Sequence, residues 1–137
     1  MRKINLTKVL KGTFLLVATT VLLGFATACS SDDDDQPNPA TSHKIVFKAE
    51  ASTGSDINIA VYGIDGNATT ATSLTGTTWT SPEITAPSGT LTANVGVNAV
   101  GANASSTLKV QIYVDGELKK EGTSSGQSLS ASANYNF

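Results

Sequence analysis

From residue 43 onward the chain alternates apolar and polar side chains with a period of two, and that alternation decides its fold class. Successive side chains of a strand point to opposite faces, so a period of two buries one face and wets the other, whereas a helix needs a period near 3.6. In KIVFKAE, Ile45, Phe47 and Ala49 share a face opposite Lys48 and Glu50. DINIAVYG aligns Ile57, Ile59 and Val61 against Asn58 and Tyr62, and TLTANVGVNA sets Leu91, Ala93, Val95 and Val97 against Thr92, Asn94 and Asn98. The cleanest run is STLKVQIYVDG, with Leu108, Val110, Ile112 and Val114 opposite Lys109, Gln111 and Tyr113. SLSASANYNF gathers Leu129, Ala131, Ala133, Tyr135 and Phe137 on one face. Each run predicts a half-buried antiparallel strand.

The turn chemistry agrees. Asp65-Gly66-Asn67 and Asp115-Gly116 are hairpin signals, because Gly, Asn and Asp accept the positive φ of tight primed turns. Ser124 to Gln127 marks a third corner, and Pro82 and Pro87 confine the intervening EITA to an edge or a loop. About seven short strands in a segment of this length predict an all-β fold, an immunoglobulin-like antiparallel β-sandwich over 43–137. Only 6% of residues are aromatic and 15% charged, and the single cysteine cannot close an internal disulfide, so packing alone must hold the domain.

The first residues have a different logic. MRKINLTKVLKG carries Arg2, Lys3, Lys8 and Lys11 with no acid, and TFLLVATTVLLGFA, residues 13–26, is apolar but short for a membrane span. Together they read as the charged and apolar regions of a secretory signal peptide, 1–28, in preference to a retained transmembrane anchor. Ala26, Thr27 and Ala28 stand directly before Cys29 and resemble the lipobox of bacterial lipoproteins. That resemblance implies a diacylglycerol thioether on Cys29, cleavage just before it and acylation of the new amino terminus. Several chains are needed for a stable anchor, each buried methylene contributing about 0.8 kcal/mol.

Ser30, Ser31, Asp32, Asp33, Asp34 and Asp35 follow at once. They resemble the acidic export signals by which some Gram-negative bacteria send lipoproteins to the outer face of the outer membrane. Physically, four adjacent carboxylates also make a solvated, extended tether, and the two readings are compatible. Gln36 to Ser42, with Pro37 and Pro39, continues that tether. Over 29–42 it reaches at most ~45 Å at about 3.3 Å per residue. The expected location is the cell outer membrane, lipid-anchored and surface-exposed.

Charge excludes one class of partner. Once the chain is cut before Cys29, Lys44, Lys48, Lys109, Lys119 and Lys120 face all eleven acids. No basic face is left to neutralise phosphates, so nucleic acid is not an expected partner.

VQIYVDGELKKEGTSSGQSLSASANY, preceded by Trp79 and a Ser/Thr/Asn-rich strand, resembles the MmpS family of transport accessory proteins and its lipoprotein relatives. The hairpin from Ile112 to Glu121 is the most specific element, and the likeness extends loosely over 44–135. The resemblance implies a small membrane-tethered β-sandwich that works beside a large lipid exporter.

No catalytic constellation is visible. His43 is the sole histidine and stands at the tether junction, and with Cys29 acylated neither a Ser-His-Asp nor a Cys-His arrangement assembles. Asp65 and Asp115 answer to turn geometry. Glu50, Asp56 and Glu83 lack the spacing of a calcium loop or a zinc cluster, so no metal or cofactor is expected. Trp79, the single tryptophan, reads as the packing centre of the sandwich or as a sugar-stacking platform, the core reading being favoured. Tyr62 and Tyr113 fall on outward faces and are candidates for a binding patch. The expected function is a non-catalytic, membrane-anchored accessory or interaction module, transport-associated as the resemblance implies. The alternative is a surface module that binds a glycan or a protein.

Overall fold

The computed structural model describes residues 41–137, so the signal peptide, Cys29 and the acidic run lie outside the described residues. The described chain is all-β, with nine strands in two antiparallel sheets where the sequence predicts about seven. The strands are β1 (His43–Ala51), β2 (Asp56–Ile64), β3 (Asn67–Ala71), β4 (Thr78–Thr80), β5 (Ile84–Ala86), β6 (Thr92–Val100), β7 (Thr107–Val114), β8 (Glu117–Ser125) and β9 (Ser128–Asn136). The first sheet runs β4-β1-β7-β8, with β5 also paired to β1, and the second runs β3-β2-β6-β9.

The alternating runs correspond to β1, β2, β6, β7 and β9; periodicity does not register β8, the return arm of the Asp115-Gly116 hairpin, or three short edge pieces. β3 is the return arm of a hairpin and contains no large apolar residue. β4 and β5 are three-residue strands on the same edge of β1, separated by Ser81, Pro82 and Glu83. Proline cannot donate to a ladder, so this edge is interrupted at Pro82, and Ile84–Ala86 lies on an edge as the sequence predicts. Ser81 repairs the gap: its N–H donates to the Phe47 carbonyl at 2.9 Å, and its Oγ accepts the Phe47 N–H at 3.0 Å.

Both sheets feed one core. β1 and β7 supply its large side chains, Ile45, Phe47, Leu108, Val110 and Ile112, all fully buried. β6 and β9 answer with several smaller ones, Ala93, Ala99 and Ala131 among them, beside Val95, Val97 and Leu129, while β2 adds Ile57 and Tyr62. Large residues facing small ones let the layers interdigitate without voids. Both Asp-Gly turns form as the sequence predicts, with φ of 48° and 79° at Asp65 and Gly66 and 52° and 81° at Asp115 and Gly116. Positive φ at both central positions gives the primed turn whose twist matches the flanking strands.

Side-chain assignments in β2 and just before β6 are overturned. Tyr62 is not on an outward face: it is buried, 7% exposed, while Val61 is 40% exposed. The cause is a bulge at Asn58, where the β2–β6 register jumps from Ile57↔Ala99 to Ile59↔Asn98. One extra residue reverses the facing of every side chain after it, so Ala60 and Tyr62 turn inward and strict alternation misassigns them. Leu91 is 71% exposed because β6 begins only at Thr92; its phase is that of the core, but its place is in the preceding loop.

Candidate functional surface

The outer face of the first sheet is built from the alternate residues of β1, β7 and β8 that the core does not take. Register places Val46 opposite Tyr113, and Tyr113 opposite Leu118, so three apolar side chains line up across three adjacent strands. The next row is Lys48, Gln111 and Glu121, followed by Glu50, Lys109 and Thr123. An apolar row thus lies beside a charged and amide-bearing one. Leu118 is 42% exposed and Tyr113 half-buried. A bulge between Ile112 and Tyr113 puts Leu118, not Lys119, beside the ring.

The Lys48 ammonium stands 4.7 Å from the Tyr113 ring centroid, a cation–π contact. Lys44 Nζ donates to Glu83 Oε1 at 2.5 Å, both side chains being more than half exposed, which makes the pair a geometric restraint more than a source of stability. Lys44, Val46, Lys48, Glu83, Tyr113 and Gly116 line an open hollow of about 310 Å³. This arrangement can seat an apolar side chain against Tyr113 while Lys48 offers a donor beside it; Gln111, in the next row, is buried.

The three aromatic candidates part company. Tyr113 stays on the outer face, as the sequence predicts. Tyr62 lies in the core, its ring 5.5 Å from Phe47 and 5.1 Å from Trp79, centroid to centroid. Trp79 takes a middle position: on edge strand β4 opposite Ala49, it is half-buried and packs onto the core from the flank. The three rings tie β1, β2 and β4 together and close that side of the structure.

A second cluster escaped the sequence reading. At the start of β1, His43 Nδ1 donates to Asp115 Oδ2 at 2.7 Å, and Phe137 stacks on the imidazole at 5.3 Å with Tyr135 edge-on to it. The His43 hydrogen bond and the Lys44 N–H together hold the Asp115 carboxyl below its ordinary range. Glu117 accepts from Lys119 at 2.9 Å and raises the Lys119 ammonium. Periodicity carries no signal for the cluster, since its parts are separated by most of the domain. Among the described residues no three His, Cys, Asp or Glu side chains gather as a metal centre would require. Asp65 likewise serves its surroundings, accepting the Leu91 and Thr92 N–H groups at 2.9 Å each.

No protein-family model matches the chain, and no curated protein matches it in sequence.

Proposed function

We propose that the chain is a lipid-anchored protein of the outer membrane whose immunoglobulin-like β-sandwich is a non-catalytic docking module. It would present the Val46–Tyr113–Leu118 row to a protein partner. The anchor rests on the sequence Ala26-Thr27-Ala28-Cys29 and the acidic run Ser30 to Asp35. The immunoglobulin-like assignment is supported by the chain's repeated passage between two antiparallel sheets.

The docking role is carried by one observation, the apolar row across β1, β7 and β8 with lysine, glutamine and glutamate beside it. Protein interfaces have this composition, an apolar aromatic centre with a polar rim. The MmpS-like stretch contains Tyr113 and Leu118, and so supports a membrane transporter as the partner. A surface glycan is the second reading, favoured by the half-buried Tyr113 ring on the outer face. The Lys48 ammonium over that ring competes with a stacked sugar, which places the protein partner first.

The anchor is tested by Cys29→Ala, which should abolish palmitate labelling and leave unprocessed precursor; unchanged labelling removes the lipoprotein reading. Replacing Asp32 to Asp35 with alanine should preserve labelling but protect the domain from protease added to intact cells. A photo-crosslinking residue at position 118 should yield a discrete membrane-protein adduct. With a glycan partner it yields none, and Tyr113→Ala then abolishes retention on the cell's own polysaccharide.

A further inference from the structure

Two open sheets have four edges, and each edge strand carries backbone N–H and C=O groups with no sheet partner. Among the described residues, three of the four edges carry some protection. β8 and β9 run on from one another through the Ser124–Gln127 corner, where the Ser130 N–H donates to Ser124 Oγ at 3.2 Å. They pass so close at Gly122 that a methyl group there would overlap the Ser132 carbonyl. The β4/β5 edge is cut into two three-residue pieces by Pro82.

Among the described residues, the β3 edge has none of these protections. NATTA has no charge, no proline and no bulge against β2, and four of its five residues are exposed. The two-residue Asp65-Gly66 turn closes on the pair Ile64↔Asn67, so the alternation of an antiparallel ladder makes Tyr62↔Thr69 and Ala60↔Ala71 the other bonded pairs. Ala68 and Thr70 therefore direct their N–H and C=O groups outward, and among the described residues neither bonds to the backbone of another element.

We propose that β3 pairs antiparallel with β3 of a second copy, joining the two β3-β2-β6-β9 sheets into one continuous sheet. The strand is self-complementary. A two-fold axis at Thr69 overlaps all five residues and sets Ala68 against Thr70 of the other copy, the pairing their outward groups require. Registers centred on Ala68 or Thr70 overlap fewer residues. A two-fold axis brings identical side chains together, and on β3 none carries a charge to repel its copy. The lysines of the described chain lie on β1, β7 and β8, in the other sheet.

The register gives a test in the full chain, expressed in its own envelope. Thr69 faces Thr69 of the second copy in a non-hydrogen-bonded pair, where Cα atoms lie about 4.5 Å apart, within the span of a disulfide. Thr69→Cys should cross-link to a dimer under mild oxidation, and Ala68→Cys and Thr70→Cys should cross-link far less. Wild type, which keeps Cys29, is the control. Adding Thr70→Pro or, separately, Thr70→Lys to Thr69→Cys should remove the cross-link while the circular dichroism stays that of the parent; two variants guard against one failing to fold. Three results overturn the proposal: no dimer from Thr69→Cys, equal cross-linking at 68, 69 and 70, or a band joining Thr69→Cys to a different protein, which would make a foreign strand the occupant. None of these outcomes depends on whether the Val46–Tyr113–Leu118 row docks a partner.

Discussion

His43 Nδ1 donates a 2.7 Å hydrogen bond to Asp115 Oδ2, joining the first residue of β1 to a turn 72 residues further along the chain. The other oxygen of the same carboxylate accepts the Lys44 N–H at 2.8 Å, and the Asp115 N–H donates to the Lys44 carbonyl at 2.7 Å. One turn residue thus fixes where β1 begins against the β7–β8 hairpin, at the point where the preceding segment meets the domain.

Asp115→Asn should lower the melting temperature at neutral pH, because asparagine keeps the positive-φ turn but removes the charge that His43 and the Lys44 N–H stabilise. The sign follows from the depressed carboxyl. Its contribution is present above the unfolded carboxylate value of about 3.9 and is lost as pH falls through the lower folded value. Thermal melts of wild type and variant should therefore converge as the pH is taken below about 4. A difference that stays constant down to acid pH would show that the carboxylate charge is not what the clamp uses.

Tyr62 and Trp79 should separate in a stability measurement. Tyr62→Ala removes a buried ring between Phe47 and Trp79 and should cost about 3–5 kcal/mol by urea unfolding. Trp79→Ala removes a half-buried ring at an edge and should cost about 1–3 kcal/mol. Trp79 fluorescence should be intermediate in wavelength and partly quenched by acrylamide, shifting red in Tyr62→Ala. Equal costs for the two substitutions would place Trp79 in the core after all.

Two glycines make a matched pair. An added methyl at Gly122 would overlap the Ser132 carbonyl, whereas at Gly96 it would meet open space. Gly122→Ala should destabilise by about 1–3 kcal/mol, the usual cost of overpacking. Gly96→Ala should fall within about 0.5 kcal/mol of wild type. A neutral Gly122→Ala would mean that β8 and β9 can move apart freely, and the close approach there would not protect that edge.

The two central strands of the first sheet, β1 and β7, were legible in the sequence. Leu108, Val110, Ile112 and Val114 alternate without interruption, and all four are buried as predicted. So are Ile45, Phe47 and Ala49, because β1 and β7 pair through this stretch without a register shift. In β2 the same reasoning failed at a single residue. Asn58 adds one position between Ile57 and Ile59, and the candidate Tyr62 moved from the surface to the core. Asparagine in a strand is no reliable mark of a bulge, so the sequence held no warning. Of the candidate surface, Tyr113 was found from its phase, but Val46 and Leu118 were not, since their neighbourhood depends on pairing register and on the bulge beside Ile112.

The sequence by itself determined what local physics controls: strand periodicity, the two Asp-Gly turns and the edge position of the segment between Pro82 and Pro87. Each depends on a few adjacent residues and their φ preferences. Tertiary structure decided what depends on which distant segments meet. It placed His43 on Asp115, lined Val46 up with Tyr113 and Leu118, wedged Trp79 against Tyr62, and gave three sheet edges some protection while leaving β3 without it among the described residues. Strand pairing is non-local, and a shift of one residue exchanges the two faces, so facing and neighbours are fixed only when the whole ladder forms.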